Sequence, residues 1–104
     1  MLRSLVVLGS LILLASPALA QDASVKVGHN RLEPANLSVA AGTTVVFHNE
    51  DAMPGGHSIV ADDGSFASPG LAKDEEWSHT FEKAGSYPYH IKEHPGAKGT
   101  ITVE

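Results

Sequence analysis

Cysteine is absent from all 104 residues. That excludes disulfide cross-links, a thiol nucleophile and thiolate ligation of a metal. Cationic side chains are also sparse, with seven Lys and Arg against twelve Asp and Glu and a formal net charge of −5 at pH 7. Nucleic acids and anionic lipid surfaces are bound through basic patches, so neither is an expected partner. Long apolar runs are missing too. The best one, Leu5 to Leu14, falls well short of the roughly 20 residues that a membrane-spanning helix needs. No Gly-x-Ser-x-Gly elbow and no phosphate-cradling glycine loop occurs. The chain therefore reads as a binding protein and not as an enzyme.

The short apolar run has a role of its own. Arg3 precedes it, Pro17 breaks it and Ala18-Leu19-Ala20 follows, which is the pattern of a secretory signal peptide over residues 1–20. Cleavage would leave Gln21 at the N-terminus and remove Arg3, taking the net charge one unit further negative. The expected product is a monomeric domain of residues 21–104 in the periplasm or outside the cell, with no membrane attachment after cleavage. A small exported domain usually leans on disulfides. Here sheet packing, helped by any bound metal, has to suffice.

Residues 21–104 consist of short alternating segments between turn residues, and no amphipathic helix is evident. Strands are expected at Ser24 to Val27, Asn36 to Val39, Thr43 to Asn49, His57 to Ala61, Glu76 to Phe81, Tyr87 to Ile91 and Thr100 to Val103. In the third, Val45 and Phe47 share one face while Val46 and His48 take the other. In the fifth, Trp77, His79 and Phe81 lie together. Some seven or eight strands in about eighty residues predict an all-β antiparallel Greek-key sandwich or barrel. The acidic groups Glu50-Asp51, Asp62-Asp63 and Asp74-Glu75-Glu76 read as solvated loops or as a face that steers a basic protein partner.

Four segments carry a family resemblance: Gly42 to Pro54, His57-Ser58-Ile59, Phe81 to Gly85 and Tyr87 to Gly99. Together they resemble the plastocyanin and amicyanin branch of the cupredoxins, nearest to amicyanin, over nearly all of the exported domain. The resemblance implies a copper protein with a redox partner. It also implies that His57 and His94 occupy the two histidine-ligand positions. At the cysteine-ligand position stands Ile91, and where the axial methionine would precede a basic residue and glycine the chain has Ala97-Lys98-Gly99. A further departure is Gly55-Gly56, inserted between Pro54 and His57, where a left-handed turn is expected. Ser58 stands where relatives commonly have an Asn that hydrogen-bonds the ligand loop.

Blue-copper chemistry rests on two His nitrogens, one thiolate and a weak axial ligand. Two imidazoles with carboxylate or water suit divalent copper instead, as a pale tetragonal centre. Candidate third ligands are Met53, four residues before His57, and Glu93, beside His94. His90 points away from the Ile91 side by strand alternation, and His29, His48 and His79 are read as turn, surface and packed histidines. The leading expectation is an exported copper-binding protein that handles copper, with a copper-trafficking or redox protein as partner. An electron carrier with an unusual third ligand and a metal-free recognition module are the alternatives.

Overall fold

The computed structural model describes residues 22–104, and the signal-peptide expectation for residues 1–20 lies outside them. Eight strands follow in order: β1 Asp22–Gly28, β2 Arg31–Glu33, β3 Asn36–Val39, β4 Thr43–Asn49, β5 Ile59–Ala61, β6 Glu76–Phe81, β7 Gly85–Ile91 and β8 His94–Val103. They form two four-stranded sheets, ordered β2-β1-β4-β6 and β3-β8-β7-β5. This is the expected sandwich, with mixed pairing: β1 runs parallel to β4 and β3 parallel to β8. The reason is connectivity. The chain leaves the first sheet after β2, adds β3 to the second and returns as β4, so strands separated by such an excursion can lie side by side in the same direction.

Period-2 patterning decides which side chains enter the core. In β4, Thr43, Val45, Phe47 and Asn49 are buried and the intervening residues half-buried, as a central strand between β1 and β6 requires. Val25 and Val27 of β1, Phe81 of β6, Tyr89 and Ile91 of β7, and Ile101 and Val103 of β8 complete the interior. Phe47 meets Tyr89 edge to face across the two sheets, their ring centres 5.5 Å apart. Fully burying a side chain such as Val25 or Ile101 contributes about 1.5–3 kcal/mol, the kind of term that replaces the missing disulfides. Phe66, on the connection from β5 to β6, packs within 6.5 Å of Trp77, His79, Phe81 and Tyr89 and fastens that connection to the core.

Several boundaries differ from the sequence expectation. β2 was not expected, because Arg31-Leu32-Glu33 offers a single inward apolar residue, Leu32. β5 begins at Ile59, leaving His57 outside the regular strand. β8 begins at His94, six residues earlier than expected, since only Lys92 and Glu93 form the turn joining it to β7. The pairing slips by a bulge between His90 and Ile91, which brings Ile91 opposite His94. Bulges of this kind re-aim side chains beside functional sites.

Candidate metal centre

Three connections meet at one end of the sandwich: the β1–β2 turn at His29 and Asn30, the segment from Glu50 to Ser58, and the β7–β8 turn. Asn49, fully buried at the end of β4, organises the second of these. Its side-chain amide donates to the Leu71 carbonyl at 2.7 Å and its oxygen accepts from the Asp51 N–H at 3.0 Å. Asp51 is thereby turned inward. Next come Gly55 and Gly56, both with positive φ, +94° and +72°, as expected of the inserted pair. His57 then bridges Leu71 through two backbone bonds, 3.0 and 2.8 Å.

His57 is completely buried. Its Nε2 lies 2.9 Å from Asp51 Oδ2, and His29 Nδ1 reaches the same oxygen at 3.2 Å. The hydrogen bond from His57, reinforced by that from His29, holds the Asp51 carboxyl below the usual carboxylate range. An ionised carboxylate only accepts, so Nε2 carries the proton. In the neutral tautomer the lone pair is then on Nδ1. That Nδ1 is buried with no hydrogen-bond partner. Buried polar atoms are rarely left unpaired, and an orphaned imidazole lone pair backed by a carboxylate on the opposite nitrogen is the arrangement found at metal-ligating histidines. The His94 ring lies 5.1 Å from that of His57, centre to centre. The two family-position histidines are adjacent.

The neighbouring positions are less accommodating to a blue-copper set. Ile91 is 1 % exposed and Ala97 2 %, so aliphatic groups fill the places that the family resemblance implies for a thiolate and a thioether. Met53 sits on the loop before the glycine pair and is the one exposed large hydrophobic residue among the described residues. Glu93 has both oxygens engaged, accepting from the Ser58 N–H at 2.7 Å and the Ser58 hydroxyl at 2.9 Å. Burial would raise its pKa, yet the Ser58 donors outweigh that and keep the carboxyl lowered. Ser58 does tie the His57 segment to the β7–β8 turn, and the Lys92 N–H adds a 3.0 Å bond to the Ser58 carbonyl. The two bonds that Ser58 donates to Glu93 have a charged acceptor and are about twice as strong as neutral ones. The site thus fits two imidazoles without thiolate and does not fit a Cys-ligated centre. Among the described residues, no three His, Cys, Asp or Glu side chains already converge as a metal-holding group.

A sequence model of the cupredoxin-like domain matches residues 4–103. The chain is a cupredoxin. Amicyanin of Paracoccus denitrificans is 34 % identical over 77 % of this chain and 63 % of its own length. The chain spans the full length of Scenedesmus fuscus plastocyanin at 34 % identity, with 80 % of its own residues aligned. Among solved structures, a purple cupredoxin from Nitrosopumilus maritimus superposes with a TM-score of 0.71 at 30 % identity, covering 79 % of this chain and 99 % of that one. This cupredoxin is a divergent one, because it has no cysteine to offer copper.

Sequence reasoning did not identify Asp51 or His29 as part of the site. Asp51 was read as half of a solvated acidic pair, and the structure corrects this: its side chain is 17 % exposed and joins two imidazoles. A signal did exist, because Asn49 two residues earlier is the Asx-type residue that redirects a following backbone inward. His29 carries no local signal, since all its relevant neighbours are more than twenty positions away.

The two low carboxyl pKa values predict an acid weakness at this end of the molecule. A depressed folded-state pKa contributes stability above the unfolded value that is lost as pH falls through the folded value. For Asp51 and Glu93 the loss begins below their ordinary values of 3.8 and 4.5. The thermal midpoint of the metal-free protein is expected to drop through that range. Glu93→Gln should lower the midpoint at pH 7 and flatten the acid slope; an unchanged slope would mean that the Ser58 bonds contribute no pH-linked stability.

Proposed function

We propose that this cupredoxin is exported, binds Cu(II) through His57 and His94, and handles copper outside the cytoplasm as a small monomeric carrier. The carrying observation is the buried, unpaired Nδ1 of His57 beside the His94 ring. Divalent copper generally binds tightest among the first-row divalent ions at nitrogen sites. When bound, copper would supply an open tetragonal centre able to exchange a ligand with a partner. Asp51 keeps the proton of His57 on Nε2, the Ser58–Glu93 pair sets the distance between the His57 segment and the His94 turn, and Ile91 and Ala97 keep the inner wall dry. The absence of a thiolate removes the soft ligand that favours Cu(I), which speaks for holding and passing on copper over fast electron carriage. The net negative surface suits a basic protein partner, a copper-trafficking or redox protein. Export is supported by the leader pattern over residues 1–20.

The test is Cu(II) titration of residues 21–104 followed by electron paramagnetic resonance. One equivalent with a tetragonal signal is expected, weakened at least about a hundredfold, or about 2.7 kcal/mol, in His57→Ala and in His94→Ala. Binding should also weaken in acid as protons compete for the imidazoles. Retention of parental affinity by both variants would discard the assignment.

A further inference from the structure

His57 is supported from outside the centre as well as within it. The connection from β5 to β6 ends in a short arm, residues 71–75, whose Leu71 end bridges His57 through two backbone bonds and accepts from the Asn49 amide. The other end is fixed to the last residue of β4. The Asp74 N–H donates to the Asn49 carbonyl at 2.6 Å, and the Asn49 N–H donates to the Glu75 carbonyl at 3.0 Å. Asp74 makes its bond with a φ of +67°, a left-handed conformation unfavourable for a residue with a side chain. The restraint on it comes from His48.

His48 precedes Asn49 on the outer face of β4, with Nδ1 2.9 Å from Glu76 Oε2 and Nε2 3.4 Å from Asp74 Oδ1. Ionised carboxylates only accept, and a neutral imidazole has one N–H to give. Both contacts are therefore made together only by the protonated ring. The other charges around it are Lys26, its register partner on β1, and Lys73, 3.8 Å from the same Asp74 oxygen. Glu33 faces Lys26 in turn, and Glu75 is turned back onto the Ala72 N–H. The Glu76 bond, joined by that to Asp74, raises the ring's pKa above the ordinary 6.5 although desolvation opposes it. A raised pKa contributes stability that is complete below the ordinary value and lost as pH rises through the folded one.

We propose that protonated His48 is a positioning residue for the copper centre: by holding Asp74 it fixes the arm that presents His57, so that the site grips Cu(II) more firmly with the ring charged and loosens as the ring loses its proton. The inference rests on the reading of His57 as a ligand. Protonation of the ligating imidazoles and deprotonation of His48 then weaken the site from opposite ends of the pH range. Firm holding is confined to the band between them.

The experiment has two readouts. In the metal-free exported chain, the amide resonances of Asp74 and His57 should show a step at the midpoint of the His48 ring, and His48→Gln should remove it. For copper, competition titration should find His48→Gln about two- to fivefold weaker than the parent at about pH 6 and equal to it at about pH 8.5. His48→Arg, charged at both, should match the parent at the lower pH and bind more tightly than the parent at the higher. No deficit in His48→Gln at the lower pH, a deficit of equal size at both, or a His57 amide that does not follow His48 overturns the clamp. Failure of the underlying reading looks different: the amides would still follow His48, while copper would bind His57→Ala as well as the parent.

Discussion

Ile91→Cys is expected to become intensely coloured when loaded with copper, where the parent stays pale. Ile91 is 1 % exposed on the last residue of β7, opposite His94 in register and opposite Ile59 across the neighbouring strand. A sulfur there would share the end of the sandwich with the orphaned Nδ1 of His57 and the His94 ring. A metal deprotonates a coordinating thiol outright, so a low intrinsic thiol pKa is not required. The resulting two-nitrogen, one-thiolate plane is the set from which blue copper centres are made, and sulfur-to-copper charge transfer should dominate the visible spectrum. Adding Ala97→Met restores the weak axial donor and should shift the band further toward the blue type. Without copper, exchanging buried isoleucine for the smaller side chain costs about 1–2 kcal/mol. With copper present at a hundredfold excess over its dissociation constant the native state regains about 2.7 kcal/mol. The variant should therefore be less stable than the parent as apoprotein and, when loaded, at least as stable as the metal-free parent. A loaded variant that remains pale would show that the bulge at His90 and Ile91 aims this side chain away from both histidines.

That the substitution is worth making follows from what the sequence discloses about the site. β4 was legible because Thr43 to Asn49 is a run of β-branched and aromatic residues, and β3 and β6 were legible because Leu37 and Val39, and Trp77, His79 and Phe81, recur at every second position. β8 was only half legible. Its first six residues contain Pro95, Gly96 and Gly99, which argue locally against a strand, and the ladder to β7 overrides them. His57 and His94 could be located by their motif neighbours. His29 could not, because what makes it part of the site is a contact between the β1–β2 turn and the β4–β5 connection, and for Asp51 only the Asx-type Asn49 two residues earlier hinted which end of the acidic pair turns inward. Ser58 and Glu93 stand 35 positions apart, so their pairing depends on the two-residue turn that the sequence alone did not suggest. The fold is carried by periodic, local information; the outer shell of the site is carried by tertiary contacts.

Gly56→Ala is the second substitution with a large expected effect, and its comparison with Gly55→Ala decides which physical cause dominates. Both glycines have positive φ, +94° at Gly55 and +72° at Gly56. On backbone strain alone Gly55 should suffer more, because +72° lies near the small left-handed well that other residues enter at about 1–2 kcal/mol and +94° lies farther from it. Contacts predict the reverse. A Cβ on Gly55 would meet nothing within 4 Å, whereas one on Gly56 would come within 2.8 Å of the Leu71 carbonyl oxygen and 3.2 Å of its carbon. That oxygen is not free to retreat. It accepts from the His57 N–H at 3.0 Å and from the Asn49 side chain at 2.7 Å. Moving it would loosen both the bridge that presents His57 and the amide that turns Asp51 inward. Gly56→Ala is therefore expected to cost about 2–4 kcal/mol, strain and displacement together, and to lower the melting midpoint by roughly 10–25 °C in a domain of this size. Gly55→Ala should cost about 1–2 kcal/mol. Copper affinity sharpens the distinction, since only the Gly56 variant disturbs His57 and only it should bind more weakly. Equal melting points for the two variants would mean that the loop shifts to admit the methyl group, and that the Leu71 bridge is a softer support for His57 than its two backbone hydrogen bonds suggest.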